Sequence, residues 1–349
     1  MSSSPRAERP ARRQPGARTR VGVAVLGCGR IGRIHAGNLA RHPRGKLVTV
    51  FDVVRNAAQQ TATDLGVRCA ASLDALWADH EIGAVVIATP TDTHVPLIIA
   101  AVQAGKAVFC EKPIDVDLER ARSCWEEIAP YRPKLMMGFN RRFDPSFRAL
   151  RERVQRGEIG QLELLLITSR DPAPPSLAYL RSSGGLLRDM TIHDFDMARY
   201  LAGEITQVQA FGANLVDPKI GKLGDIDTCT VSLRAKSGAL LQINNSRRCV
   251  YGYDQRIEAF GATGMLRAEN QRPTSVELST AGQTAAGDPV LKFFLERYAD
   301  AYRAELDAFI DALEEGGPLT PDFADGIEAL RLAVAAEDSL RTHQVVGLS

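Results

Sequence analysis

The segment Asp189-Met190-Thr191-Ile192-His193-Asp194-Phe195-Asp196 carries two carboxylates and an imidazole at positions 189, 193 and 196. Spacings of four and three put such groups on one face of a helix. Oxidation of an alcohol needs a base to take the hydroxyl proton as hydride leaves carbon, and histidine suits because it titrates near working pH. A carboxylate one turn earlier, Asp189, would orient the imidazole and stabilise its charged form. Two other readings of the same residues are an ordinary Asp–His pair on a helix and a metal site, and no further His or Cys spacing supports the metal. Glu111-Lys112-Pro113 follows the apolar run from Ala107 to Cys110. At the carboxyl edge of an open α/β sheet, Lys112 can hydrogen-bond a substrate hydroxyl and stabilise developing negative charge. An isolated lysine would instead be a solvated surface side chain.

A third chemical element is Gly27-Cys28-Gly29-Arg30-Ile31-Gly32. A glycine loop of this form is common in turns, but here it directly follows the apolar run from Val21 to Leu26 and opens a helix-like stretch, as a dinucleotide site requires. The first glycine permits the tight turn, the second lets backbone approach a pyrophosphate, and the third allows close helix–strand packing. The helix N-terminus then offers N–H groups to the phosphates. Asp52 lies 20 residues past Gly32, where an acid bonds ribose hydroxyls and repels the extra phosphate of NADP. The other role open to Asp52 is capping the next helix, and Arg55 nearby weakens the discrimination. NAD is the cofactor this pattern favours.

These groups need a scaffold that brings them together. Strand-like runs at Val21–Leu26, Lys46–Phe51, around Arg68, Ala84–Ala88 and Ala107–Cys110 alternate with helix-like segments, which implies a parallel sheet with helices on both faces. After about residue 140 the rhythm changes. Leu162–Ser169, Thr206–Ala213, Thr228–Arg234, Ala239–Asn245 and Gln255–Phe260 read as strands with few helices between them, the pattern of a mainly antiparallel sheet. One helix, Asp189–Leu201, precedes most of these strands, and two more, roughly 291–315 and 323–342, close the chain. The expected fold class is α/β: a doubly wound nucleotide-binding domain over 21–141, then an α+β substrate and oligomerisation domain over 142–349, with a cleft between them.

Composition bounds the rest. The 349 residues are 45% hydrophobic and 24% charged, enough to bury a core. The net charge of +1 hides an asymmetry: residues 1–20 hold six arginines and one acid, leaving 37 basic and 41 acidic residues elsewhere. A mildly acidic body argues against nucleic acid as a partner. The Arg- and Pro-rich start lacks an apolar stretch and is expected to be disordered rather than a secretory leader. No apolar run is long enough to span a bilayer. Six cysteines (Cys28, Cys69, Cys110, Cys124, Cys229 and Cys249) without a CxxC pair point to reduced thiols and a cytoplasmic location.

The glycine loop GCGRIGRIHAGNLA, the segment AVVIATPTDTHVPL, the tetrapeptide CEKP and the helix DMTIHDFDMARYL occur in the order seen in a known family. The chain after residue 20 resembles the family that contains glucose-fructose oxidoreductase, inositol 2-dehydrogenase and the rhizopine-catabolism dehydrogenases. MMGFNRRFDPSF (136–147), residues 169–201 and NNSRRCVYGYDQRIEAFG (244–261) are similar to its inositol 2-dehydrogenase branch. The resemblance implies transfer of hydride from a ring CH–OH of myo-inositol to NAD, giving 2-inosose. It also admits another inositol isomer or a pyranose as substrate, and a catalytically silent NAD-binding regulator as a different class. It places the catalytic groups on Lys112, Asp189 and His193. Cofactor contacts fall on Gly27, Gly29, Arg30, Ile31, Gly32, Asp52, Thr89, Pro90, His94, Glu111 and Lys112. Substrate contacts fall on Lys112, Asp171, Asp189, His193, Asp196, Arg141 or Arg142, and Tyr251 or Tyr253. It further implies a cis Lys112–Pro113 bond and a homo-oligomer, dimer or tetramer. Charged, hydrogen-bonding side chains suit a polyol, since each ring hydroxyl both donates and accepts.

Overall fold

In the computed structural model, which describes residues 20–348, the first half of the chain builds one parallel sheet. Its strands are β1 (Val21–Leu26), β2 (Gly45–Phe51), β3 (Arg68–Cys69), β4 (Ala84–Ile87), β5 (Ala107–Glu111) and β6 (Leu135–Gly138), in the order β3-β2-β1-β4-β5-β6. Strands covered on both faces are apolar throughout rather than alternating, and VGVAVL shows why. Val23 and Val25 face a layer with Leu39, Phe109 and Phe309, while Ala24 and Leu26 face another with Ile98, Val102 and Phe323. The chain passes from β1 to β2 on one side, and β4 flanks β1 on the other. The loops after β1 and β4 therefore meet at the carboxyl edge where the order reverses, the place where such sheets bind ligands. The strand β6 was not among the five expected; LMMG is four residues with no alternation, and it is fixed by pairing with β5 from Val108↔Leu135 to Glu111↔Gly138.

The second sheet contains β7 (Leu162–Arg170), β8 (Ile205–Ala213), β9 (Thr228–Ala235), β10 (Leu240–Ser246), β11 (Asp254–Gly261) and β12 (Gly264–Ala268). A small hairpin of β13 (Glu277–Leu278) and β14 (Ala286–Gly287) follows, and β15 (Val346–Gly347) returns to the sheet edge. The order is β12-β11-β7-β10-β9-β8-β15, antiparallel except between β7 and β10. The large, mainly antiparallel sheet is thus as expected, with one parallel neighbour pair at its centre.

The closing helices join the two sheets. Ala299–Glu315 turns Leu306, Phe309 and Ile310 onto the first sheet. Phe323–Thr342, opened by a capping box between Asp322 and Asp325, turns Phe323, Ala329 and Leu330 onto the first sheet and Leu332, Ala333 and Ala336 onto the second. The expected helix over 291–315 is divided into Phe294–Arg297 and Ala299–Glu315. The expected helix Asp189–Leu201 is also divided, into Gly185–Asp189 and Ile192–Ala202. There the Thr191 N–H reaches back five residues to the Leu186 carbonyl, and its hydroxyl donates to Asn245 Oδ1 at 2.6 Å. A tertiary hydrogen bond at that residue accompanies the interruption of the i→i−4 ladder.

All six cysteines are free thiols and five are buried. No helix among the described residues is long and apolar enough to cross a membrane. The basic extension expected to be disordered lies outside the described residues except for Arg20, which is exposed.

Candidate active site

The glycine loop is shaped for close approach. Gly27 follows β1 with φ of 93°, and a Cβ there would come within 2.5 Å of the Ala88 carbonyl oxygen. A Cβ on Gly32 would lie 1.8 Å from the Gly27 oxygen, so helix and loop pack only with glycine. Gly29 differs: a Cβ there would meet nothing within 4 Å. It is the N-cap of the helix Arg30–Ala40 and makes no side-chain cap. Open space at a helix N-terminus fits a pyrophosphate. Asp52 Oδ2 accepts the Cys28 N–H at 2.7 Å and Oδ1 accepts the Val54 N–H at 2.8 Å. The carboxylate therefore fixes the loop, and each oxygen keeps a lone pair for a ribose hydroxyl. These residues fit a dinucleotide.

Other side chains named for the cofactor point elsewhere. His94 is buried, with Nδ1 2.7 Å from the Pro113 carbonyl and Nε2 2.9 Å from the Thr89 carbonyl. Its ring ties the loop after β4 to the loop after β5. Glu111 turns inward to His35 Nε2 at 2.8 Å. Arg30 lies over the Phe293 ring, and Ile31 packs against the second sheet's core.

Beyond β5, the Lys112–Pro113 bond is cis, as the resemblance implied. Lys112 Nζ donates to the Asp189 carbonyl at 2.7 Å and lies 3.5 Å from its carboxylate. The same carboxylate accepts Tyr179 OH at 2.8 Å and Arg247 Nη2 at 3.2 Å. It makes no hydrogen bond to His193. The expected Asp189–His193 pair is corrected in this respect: the break after Asp189 removes the two from one continuous helical face, and Asp189 is given to the cations Lys112 and Arg247.

His193 stands at the start of the helix Ile192–Ala202, its ring edge-on to Phe139 with centroids 6.2 Å apart. Nδ1 is buried without a partner. Burial, reinforced by the positive charges of Lys112 and Arg141, pushes the imidazole well below its ordinary pKa. It is neutral at physiological pH, the state a proton acceptor needs. Asp171, whose N–H donates to the Ser246 carbonyl at the end of β10, is pushed up to about 6. Burial is the main cause, opposed by Arg247 and augmented by Asp189. Asp171 and His193 are thus both within the electrostatic reach of Arg141.

The paired alternatives separate clearly. Arg141 is buried, donating from Nη1 to Asp194 at 2.6 Å and to Ser169 at 2.9 Å. Arg142 faces away and grips Asp196, from Nη2 at 2.6 Å and Nε at 2.9 Å, together with Asp325 of the last helix. Asp196 and Arg142, both expected as substrate contacts, are here joined to one another in an ion pair. Tyr253 is buried edge-on to Tyr298, near Arg141 and Asp171. Tyr251 instead donates to Asp254 at 2.5 Å and lines a separate cavity of about 870 Å³ with Pro172, Gly252, Arg272 and Val290.

Three contributors went unrecognised in the sequence. Tyr179 and Arg247 hold Asp189. Asp194 is a fully buried hub that accepts from Arg141, from Ser169 at 2.5 Å and from Asn245 at 2.8 Å. Arg247 lies within NNSRRC and Asp194 directly follows His193, so position beside known motifs was the available signal.

Comparison with known proteins identifies the family. Residues 21–139 match the family model described as "Oxidoreductase family, NAD-binding Rossmann fold", and residues 147–267 match the "GFO/IDH/MocA C-terminal domain". The chain is 47% identical over 330 residues to the inositol 2-dehydrogenase of Rhizobium meliloti, covering 94% of this chain and 99% of the relative. It superposes on a myo-inositol dehydrogenase from Corynebacterium glutamicum with a TM-score of 0.92 and 48% identity, covering 95% of this chain and 99% of the other. It is also similar to scyllo-inositol dehydrogenase from Lactobacillus casei, solved with bound NAD(H) and scyllo-inositol, at 30% identity and TM-score 0.87, covering 94% and 99%.

Proposed function

From the premise that the chain belongs to the GFO/IDH/MocA family of NAD-binding oxidoreductases, we propose that it oxidises a ring hydroxyl of myo-inositol to the 2-keto product. The reading is supported chiefly by Lys112 meeting Asp189, with His193 kept neutral by burial and by the charges of Lys112 and Arg141, and with Asp171 under the influence of Asp189 and Arg247. NAD, when bound, accepts the hydride. Lys112 donates a hydrogen bond to the reacting oxygen and His193 takes its proton. Asp171 accepts from a neighbouring ring hydroxyl, and Asp189 with Arg247 and Tyr179 holds Lys112 in place. Residues 21–141 bind the cofactor and supply Lys112, and 142–349 supply most of the polyol site. Initial rates with NAD on a panel of inositols and hexoses test the reading. Myo-inositol should give the highest kcat/KM and ethanol should be inert, because an alkyl chain leaves the polar lining unpaired. A hexose that outperforms myo-inositol tenfold or so would move the assignment. Scyllo-inositol is the second reading, favoured by the likeness to the Lactobacillus casei enzyme.

The acid limb of the rate follows from the two shifted groups. Asp171 loses its charge as pH falls through about 6, and with it an acceptor for the substrate. His193 charges only well below its usual range. kcat/KM for myo-inositol should therefore fall on the acid side near pH 6 rather than near the ordinary histidine value. A limb centred at or above about 7 would contradict this assignment.

Cofactor choice rests on Asp52. A 2′-phosphate beside this carboxylate costs on the order of 1–4 kcal/mol, so NAD should be preferred over NADP at least roughly tenfold in kcat/KM. Asp52→Ser should narrow the gap, though it also frees the Cys28 N–H. Equal rates with both cofactors in the unaltered protein would count against this role.

A homo-oligomer, dimer or tetramer, is supported by the outer face of the second sheet. Met265, Phe260, Leu164 and Leu240 are cross-strand neighbours over four strands, each 43–47% exposed. An apolar row of this kind on an antiparallel sheet marks an association surface. Light scattering after size exclusion should give a multiple of 37.9 kDa, and Leu164→Glu should lower it. A cytoplasmic setting agrees with six free thiols.

A further inference from the structure

His35, Glu111 and Glu305 meet between the helix Arg30–Ala40, the end of β5 and the helix Ala299–Glu315, each with a side-chain atom within 4.8 Å of the others'. His35 Nε2 bonds Glu111 at 2.8 Å. The ring is enclosed by Phe109 and Tyr302, both edge-on at 5.1 and 5.7 Å. Glu305 is fully buried, and neither carboxyl oxygen has a protein partner. The cluster thus holds two carboxyl groups against one imidazole. Around it stand Phe109, the Tyr302 hydroxyl and the glycine at 138, where a Cβ would press on the Glu111 carboxyl at 3.1 Å. With His35 already engaged by Glu111, a charged Glu305 would be an uncompensated buried anion facing a second one.

We propose that Glu305 is a positioning residue: held as a neutral acid beside the Glu111–His35 pair, it fixes the strand end from which Lys112 projects. Burial, with the Glu111 charge adding to it, pushes the Glu305 carboxyl well up, in agreement with the geometry. Glu111 immediately precedes Lys112, and Gly138 on β6 leaves the room its side chain needs to turn inward. A like charge at Glu305 would drive Glu111 off His35 and tilt the backbone that aims the lysine. The neutral acid prevents this and leaves Glu111 bonded to His35. The inference rests on the reading of Lys112 as the group at the reacting oxygen.

Difference infrared spectroscopy of the full chain, unaltered minus Glu305→Gln, reads the proton without any substrate. The expected result is a protonated-carboxyl C=O band at neutral pH, where an ordinary glutamate is ionised, that disappears in Glu305→Gln. In turnover with myo-inositol, Glu305→Leu, neutral but shorter and without the carboxyl that fills the space beside Glu111, should lower kcat about tenfold through misplacement of Lys112, with KM for NAD little changed. Glu305→Gln, neutral and of the same shape, should restore kcat to within about twofold. Absence of the band, its survival in Glu305→Gln, or equal loss of kcat in both variants would overturn the proposal. So would a stoichiometric divalent metal in the purified protein that is lost in Glu305→Gln. If Glu305→Leu does not fold, the infrared comparison alone decides. The band without any inositol turnover would contradict the functional reading and leave the proton in place.

Discussion

His193→Ala is expected to lower kcat for myo-inositol oxidation by about 10²–10⁴, the usual loss when a general base is removed, with NAD affinity nearly unchanged. Hydroxyl oxidation requires the proton to go somewhere as hydride leaves, and His193 is the imidazole that burial and two neighbouring cations keep neutral. The contacts proposed for the cofactor, the glycine loop and Asp52, do not include His193. Steady-state kinetics and NAD titration of the variant give the two readouts. Asp189→Asn should lose less, since its neighbours Tyr179 and Arg247 remain to hold the side chain, and Lys112 keeps its 2.7 Å bond to the Asp189 backbone carbonyl. Near-normal kcat in a folded His193→Ala protein would show that another group takes the proton.

The second large effect is on stability. Asp194 and Arg141 form a buried ion pair at 2.6 Å, with side chains 0% and 5% exposed. Removing one partner of such a pair leaves an uncompensated charge inside and typically costs about 3–5 kcal/mol. Asp194→Ala should therefore lower the melting temperature by on the order of 5–10 °C. It also unpairs Ser169 and Asn245, which share the same carboxylate. Calorimetry against the unaltered protein checks this. A melting temperature within about 1 °C of the parent would show that Arg141 finds another partner or that the pair is worth little in its surroundings.

Much of this architecture was readable in the chain because it follows from local pattern. VGVAVL, the glycine loop and Asp52 are spaced by the geometry of one strand–turn–helix–strand unit. The last helix falls at 323–342 as expected because its cap and its apolar repeat both lie within the segment. Legibility ended where tertiary partners decide. The break at Met190–Thr191 coincides with Asn245, 54 residues away, so the i,i+4 arithmetic that joined Asp189 to His193 could not foresee it. Arg141 and Arg142 are neighbours on a short 3₁₀ turn and point to opposite acids, and no spacing rule separates them. β6 is defined by its pairing with β5, and Glu111 by His35, 76 residues away on the helix after the glycine turn.

The most direct test of the central claim is the fate of hydrogen at carbon 2 of the substrate. With myo-inositol deuterated only at that carbon, the NADH produced should carry one deuterium on the nicotinamide ring and appear in step with the 2-keto product. Unlabelled NADH would place the oxidation at another ring carbon, and no NADH at all would contradict the account.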